Sequence, residues 1–298
     1  MKKIIGIDIG GTKVAFGLLD DQNNLVDQLE LRSNPSDSQL MYDVVVTGIK
    51  KILADNQLQE EAVAFGIGVP GIVDVEQGVA VFQNNLPWAE FPLVAELKND
   101  FPAVTHISLD NDVSCAAKAE WQALGLGETD SMVFLTISTG IASPVIIGGK
   151  AVKGEGVAGE IGLMLVWHSL TKSLERLEEI ASGPAIAKFG QQLYQNPKMT
   201  TKEVFECYDR HGEQAREIID SAVFALAQAI YGIACLIDPT KIVLGGSVIM
   251  KNPSMLERLK TELGKMAIPV HAHIVDALVL SGYDNNAGLV GAAINAIN

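Results

Sequence analysis

The chain has 298 residues, 48% of them hydrophobic and 19% charged, enough apolar material for one large core or two smaller ones. Its 22 Lys and Arg against 36 Asp and Glu leave a formal charge of −14 and a pI near 4.7. That balance argues against a nucleic-acid or anionic-lipid partner, but not against a nucleotide, which a few amides and one metal ion can hold.

In chain order, Lys3 to Asp20 reads as strand, glycine turn, strand, with β-branched residues on both sides of Gly10-Gly11-Thr12. Asp20 to Asn24 is a second turn and Leu25 to Leu31 a third strand. Ser38 to Asn56 has helical spacing of Leu40, Val44, Ile49 and Leu53. A buried strand, Ala62 to Val69, closes on Pro70-Gly71; a helix is expected over Phe91 to Asn99, a strand over Thr105 to Leu109 and a helix over Val113 to Leu124. The pattern then restarts, with a second strand, turn and strand over Ser131 to Gly148. A long helix, Glu213 to Ile237, and a strand, Lys241 to Leu244, lead to Gly245-Gly246-Ser247. A helix near Met255 to Lys265, a strand near Ala277 to Leu280 and a closing helix, Ala287 to Ile297, complete the chain. Two copies of a hairpin followed by alternating helices and strands predict a pseudo-duplicated α/β protein, with its boundary near Asn111 to Ser114.

Cys115, Cys207 and Cys235 are scattered and odd in number, which offers no disulfide framework or clustered zinc motif and fits a reducing cytoplasm. The apolar run Ala222 to Ile237 is broken by Gln228 and Gly232 and falls short of the ~20 residues of a membrane span. Lys2-Lys3 is followed by too short an apolar segment for a signal peptide.

Gly66-Ile-Gly-Val-Pro-Gly71 matches a dinucleotide-binding pattern, but that pattern needs a helix opening at its end, and Ile-Val-Asp-Val follows here. A sharp strand-end turn is expected instead. Asp8-Ile-Gly-Gly-Thr-Lys13 offers amides without a Cβ in the way, the Thr12 hydroxyl and the Lys13 charge to a phosphate. Asp8 on an apolar strand needs a metal ion or hydrogen bonds. A hairpin turn carrying a surface Asp is an equal reading of that motif alone. Thr136 to Pro144 is a second polar turn, and it gains meaning as a duplicate of the first. Asp110-Asn111-Asp112 ends a strand and opens a helix, where one residue suffices for capping. Glu160 lies among glycines as a candidate for binding a hydroxylated ligand, against the alternative of a solvated loop Glu. Gly245-Gly246 either covers an adenine ring or makes a tight strand-to-helix turn.

Together and in this order, these residues resemble the ROK family (repressor, open reading frame, kinase) of the actin-like sugar-kinase superfamily. The resemblance runs over essentially the whole chain. It rests on Asp8-Ile-Gly-Gly-Thr-Lys13, Val69-Pro-Gly71, Asn85-Leu86, Asn111-Asp112, Ser138-Thr-Gly140 and Ala158-Gly-Glu-Ile-Gly162. It continues through Leu177-Glu178 with Ala181-Ser-Gly183, Leu244-Gly-Gly-Ser247 and Ala287 to Ala292. It implies an α/β fold of two actin-like (ribonuclease H-like) lobes, each a mixed sheet flanked by helices, closing a nucleotide and sugar cleft. The lobes are expected at 1–112 and 113–285, with a C-terminal helix at about 286–298 packing back on the first.

The implied activity is ATP-dependent phosphorylation of a sugar 6-hydroxyl with magnesium, by a homodimer. Asp112 matches the catalytic base, and Asp8 would orient magnesium, through water. Gly10, Gly11, Thr12, Lys13, Thr139 and Gly140 would hold phosphates, with Gly245 and Gly246 beside the nucleotide. Gly71, Asn85, Asn111, Glu160 and Glu178 would bind the sugar.

Three departures from the family pattern stand out. The usual cysteine cluster is replaced by the cysteine-free stretch Ser169 to Arg176, and Leu163 stands where relatives carry a zinc-binding histidine. No structural zinc is therefore expected. His168 then reads as a surface or packing residue, and Leu170, Leu174 and Leu177 are expected to organise the stretch. The second phosphate turn continues with Ala142-Ser143-Pro144, and Pro144 lacks an N–H, so a looser hold on the nucleotide is expected there. Asn85-Leu86 with Phe91-Pro-Leu, Glu120 with Gln122-Ala-Leu124, Met132 to Gly140 and Gly245 to Val248 look like bacterial N-acetylmannosamine kinases. Glucose, a β-glucoside and fructose are the alternative substrates. A sugar-sensing repressor of the same family would need a DNA-binding segment ahead of Lys3, and a catalytically silent sugar-binding protein would not need Asp8 and Asp112 together.

Overall fold

The computed structural model describes residues 3–20, 22–83, 85–155, 157–283 and 286–297, so Asp21 in the second turn and Gly156 before the Glu160 loop lie outside the described residues. The chain forms two compact units, Met1–Leu124 with Asn286–Asn298, and Gly125–Asn285.

The first unit opens with β1 (Lys3–Ile9), β2 (Lys13–Leu19), β3 (Leu25–Arg32), α1 (Ser38–Asp55) and β4 (Val63–Val69). It continues with β5 (Ile72–Asp74), β6 (Val79–Phe82), β7 (Ala89–Phe91), α2 (Leu93–Asp100), β8 (Ile107–Asn111) and α3 (Asp112–Ala123). The main sheet has the order β3-β2-β1-β4-β8, with the β1–β2 and β2–β3 pairs antiparallel and the β1–β4 and β4–β8 pairs parallel. β4 is buried at all seven positions, as a central strand covered on both faces must be. β3, at the edge, alternates: Leu25, Asp27, Leu29 and Leu31 turn inward while Val26, Gln28, Glu30 and Arg32 face out. Asp37 caps α1 by accepting from the Gln39 and Leu40 amides, and Met41, Val45, Ile49 and Ile52 form its buried stripe. The expected helix over Phe91 to Asn99 begins later, at Leu93, because Pro92 keeps Phe91 extended and Phe91 ends β7 instead.

The second unit contains β9 (Ser131–Ile137), β10 (Ile141–Ala142), β11 (Val145–Ile147), β12 (Lys150–Ala151), β13 (Leu165–His168) and β14 (Ser173–Arg176). Its helices are α4 (Leu177–Ala181), α5 (Gly183–Leu193), α6 (Thr201–Asp209), α7 (Glu213–Ile237), α8 (Ser247–Lys251), α9 (Met255–Met266) and α10 (Ile274–Ala277). Its last strands are β15 (Lys241–Gly245) and β16 (Leu278–Leu280). The order β12-β11-β9-β15-β16 repeats the first sheet: an antiparallel neighbour on one side of β9, parallel strands on the other. α7 is long and apolar enough by length and composition to cross a membrane, yet 67% of its most apolar window is buried in this unit, where Ala222, Leu226, Ile230 and Ile233 join the core.

The final helix, α11 (Ala287–Asn295), returns to the first unit and packs on β1, β4 and α3. The small residues Gly291, Ala292 and Ala293 permit this close approach: a Cβ on Gly291 would stand 1.7 Å from the Cys115 carbonyl oxygen. Because α3 is held against α11, the division between units falls after Leu124 rather than at residue 112.

Candidate functional site

In the first unit the strand ends come together in register. Asp8 on β1 lies opposite Gly68 on β4, which lies opposite Asp110 on β8. Gly68 leaves room for the start of α3, since a Cβ there would be 3.3 Å from the Asp112 Cα. The rejected dinucleotide pattern thus has a packing explanation: a Cβ on Gly66 would meet the Ala292 carbonyl oxygen at 1.8 Å, and Gly71 adopts φ +87° in the strand-end turn.

The Asp110-Asn111-Asp112 triplet divides its labour. Asn111 is the cap of α3, its Oδ1 accepting from the Val113 amide at 3.0 Å and the Ser114 amide at 3.1 Å. Its Nδ2 donates to the Gly71 carbonyl at 2.9 Å, which ties the cap to the turn after β4. Asp110 accepts the Asn111 amide at 2.8 Å and pairs with Lys118 at 2.8 Å. Asp112 occupies the first turn of α3 and accepts the Val113 amide at 2.8 Å. Its charge acts on Asp8: burial first, and Asp112 second, push the Asp8 carboxyl up to about 7, against the opposing pull of Lys13. Gly288, in the first turn of α11, adjoins the Asp8 carboxylate, and a Cβ there would be 2.8 Å from Oδ2.

Gly10-Gly11-Thr12 forms a tight turn, closed by the Gly10 amide on the Lys13 carbonyl at 2.9 Å. Ser33, the residue after β3, braces it, its amide on the Thr12 carbonyl at 3.0 Å and its hydroxyl on the Gly10 carbonyl at 2.5 Å. Asn85 lies over Gly11, where a Cβ would be 2.9 Å from the Asn85 backbone oxygen. Lys13 pairs at the surface with Glu30 of the neighbouring strand. Asp8, Gly10, Gly11, Thr12, Gly71, Asn85, Asn111 and Asp112 therefore form one continuous edge of the first unit. Sequence reasoning missed Ser33 and Lys118 here, and it held Gly288 only within the Ala287 to Ala292 motif, with no role given to it. No local spacing marks them, and only the packing of β3 and α11 brings them in.

In the second unit, the Ser138-Thr139-Gly140 turn closes by the Ser138 amide on the Gly140 carbonyl at 2.9 Å. The Gly183 amide at the head of α5 donates to the Ser138 carbonyl at 2.8 Å, and Gly246 after β15 packs on the Ile137 backbone with φ +87°. Gly245 ends β15 against the Phe134 ring. Glu178, in the first turn of α4, reaches toward Gly140 and Gly162: Cβ atoms on these glycines would be 3.5 and 3.1 Å from its Oε2. Burial and the Glu178 charge both raise the Glu160 carboxyl above the ordinary carboxylate value. Thr139, Gly140, Glu160 and Glu178 are thus gathered as a second cluster. The Ala142-Ser143-Pro144 departure serves the Glu160 loop. The Ser143 amide and hydroxyl both donate to the Gly159 carbonyl, at 2.6 and 3.2 Å.

The cysteine-free stretch is organised by polar groups more than by the expected leucines. His168 is fully buried, edge-on to Phe189 with centroids 4.8 Å apart. Its Nδ1 lies 3.0 Å from the Thr171 hydroxyl and 3.1 Å from Glu175, and Thr171 and Ser173 also donate to Glu175. Burial raises the Glu175 carboxyl, but hydrogen bonds from Thr171, Ser173 and His168 outweigh it and hold the group below its ordinary value. Leu177 is buried and Leu170 partly so, whereas Leu174 is 63% exposed. Among the described residues there is no cluster of three or more His, Cys, Asp or Glu arranged to hold a metal ion.

The chain matches the ROK family over residues 4–298. It is 32% identical to an N-acetylmannosamine kinase of Escherichia coli over 98% of each protein. It is 26% identical to a glucokinase of Halalkalibacterium halodurans, covering 96% of this chain and 92% of that one. The crystal structure of a ROK hexokinase from Thermus thermophilus superposes with a TM-score of 0.79 at 26% identity, covering 99% of this chain and 98% of the other. With two repeated mixed sheets flanked by helices and a family match over nearly its full length, the chain belongs to the ROK family.

Proposed function

We propose that the chain is a cytoplasmic, homodimeric sugar kinase that transfers the ATP γ-phosphoryl group to the 6-hydroxyl of a hexose, with N-acetylmannosamine as its preferred substrate. The observation that carries this reading is the pairing of Asp8 and Asp112 beside the Gly10-Gly11-Thr12 turn. Asp112 acts as general base, taking the 6-hydroxyl proton as that oxygen attacks the γ-phosphorus and ADP departs. Asn85, Asn111, Glu160, Glu178 and the Gly71 turn bind sugar hydroxyls. Gly10, Gly11, Thr12, Lys13, Thr139 and Gly140 hold phosphates, and Gly245 and Gly246 border the nucleotide. Two neighbouring carboxylates, one raised to about 7 by burial and by the other's charge, are a donor set that suits magnesium. Asp8 would hold that ion through water, and bound with ATP it would neutralise phosphate charge.

The N-acetylmannosamine reading is supported by the relative from E. coli and by Leu163, which is 49% exposed and follows Glu160 by three residues. An apolar side chain there favours an N-acetyl group over a bare hydroxyl. The glucokinase relative supports glucose as the second reading. A coupled ADP-release assay across a sugar panel decides between them. The expected result is a kcat/KM for N-acetylmannosamine roughly tenfold above that for glucose, about 1.4 kcal/mol of transition-state preference. Asp112→Asn should lower turnover by about 10² or more with little change in nucleotide affinity. Equal or reversed efficiencies reject the N-acetylmannosamine reading, and near-normal turnover of Asp112→Asn rejects the assigned base.

A further inference from the structure

We propose that Lys118 is a positioning residue for the kinase reaction, holding Asn111 and Asp112 in register through Asp110; the proposal rests on the sugar-kinase reading above. Lys118 lies in the middle of α3, six residues beyond Asp112, too far along the helix to be a local cap. Its ammonium donates to Asp110 Oδ2 at 2.8 Å and to Asn295 Oδ1 at 2.6 Å. Asp110 is almost entirely buried, so its charge needs a partner inside the unit. The other carboxylate oxygen of Asp110 accepts the Asn111 amide, and the Asn111 side chain in turn links the Gly71 carbonyl to the first amides of α3. The Asn295 amide also donates to Cys115 Sγ at 3.1 Å, which fixes the last turn of α11 against α3. One ammonium thus joins the end of β8, the body of α3 and the end of α11. The junction it stiffens carries the proposed base and a proposed sugar ligand.

Lys118→Met keeps the length of the stem and removes the charge. The expected result is a tenfold or greater fall in kcat per folded molecule and a rise of a few-fold in sugar KM. ATP KM should stay within about twofold, and Lys118→Arg should recover most of the loss, because its guanidinium can still serve both oxygens. Asn295→Ala, which releases the ammonium from α11 but keeps the Asp110 pair, should shift kcat the same way by a smaller factor. It also serves as the test if Lys118→Met does not fold. Amide hydrogen exchange supplies a readout independent of turnover: Asn111, Val113 and Ser114 should exchange at least tenfold faster in the variant than in the parent, with the rest of α3 unaffected. A kcat per folded molecule and a sugar KM within twofold of the parent would overturn the proposal. If the parent phosphorylates no sugar, the kinase reading falls, and the exchange measurement alone decides the positioning role, unchanged rates at the three amides refuting it.

Discussion

Asp8 is a carboxyl whose environment strongly opposes its charge, and replacing it should separate stability from function. Its carboxyl is pushed from 3.8 to about 7, by burial first and by Asp112 second. A rise of that size disfavours the ionised form by about 4 kcal/mol. Below pH 3.8 the carboxyl is protonated in both folded and unfolded chains and contributes no penalty. Between 3.8 and about 7 the unfolded chain ionises first, folding takes up a proton, and stability falls as pH rises. Above about 7 the penalty is complete. Asp8→Asn removes the charge at nearly constant volume, with part of the gain offset because the new amide needs partners of its own. The expected gain is about 2–4 kcal/mol at pH 8, shrinking to nothing near pH 4. Urea unfolding of both proteins in chelator at pH 4, 6 and 8 measures it. Turnover should fall at least tenfold in the same variant, a trade of stability against activity at a strained site. A stability difference independent of pH, or a variant less stable than the parent at pH 8, would refute the reasoning.

Two glycine substitutions should have opposite signs. Gly66→Ala places a methyl against the Ala292 backbone, which cannot move without displacing α11, and should destabilise by about 3 kcal/mol in urea unfolding; Gly264→Ala in α9, with nothing within 4 Å, should stabilise by about 0.5–1 kcal/mol. Glu175 is held below its ordinary 4.5, so its contribution is present above that pH and lost as pH falls through the folded value. The gap in melting temperature between the parent and Glu175→Gln should therefore be constant from pH 8 to about 5 and close on further acidification, and a gap that widens in acid contradicts it. With His168, Thr171 and Glu175 knotting the cysteine-free stretch, elemental analysis of dialysed protein should find no stoichiometric zinc, and about one zinc per chain would overturn that expectation.

Much of the architecture was legible in the sequence because it is written in local patterns. β-Branched residues around Gly10-Gly11-Thr12 specify β1 and β2, and the periodicity of Glu213 to Ile237 defines α7 over the same span. The repeated hairpin foreshadowed two sheets of matching order. Asp8, Asn111 and Asp112 stood out as candidates because an acid on an apolar strand and a polar helix start depart from what packing alone requires. The small β5–β7 sheet escaped, since three- and four-residue strands carry too little period to read. His168 gave no sign that it would be buried in a polar knot with Thr171 and Glu175, because its surroundings come from the β13–β14 hairpin and from Phe189 of α5, which no local spacing relates. Lys13 reads from the sequence as a phosphate ligand, and only the β2–β3 register shows that it also lies beside Glu30. The link from Lys118 to Asp110 and Asn295 spans up to 177 residues of sequence and follows no helical or strand spacing. The sequence on its own determined the segments with a long, clear period, such as β1, β2 and α7, because such periods are local, whereas α5 and α6 went unread. Which side chains share the edge where Asp112 sits was decided only when the glycines and alanines of α11 let that helix lie against α3 and β4, since close approach is a property of two surfaces and belongs to neither segment alone.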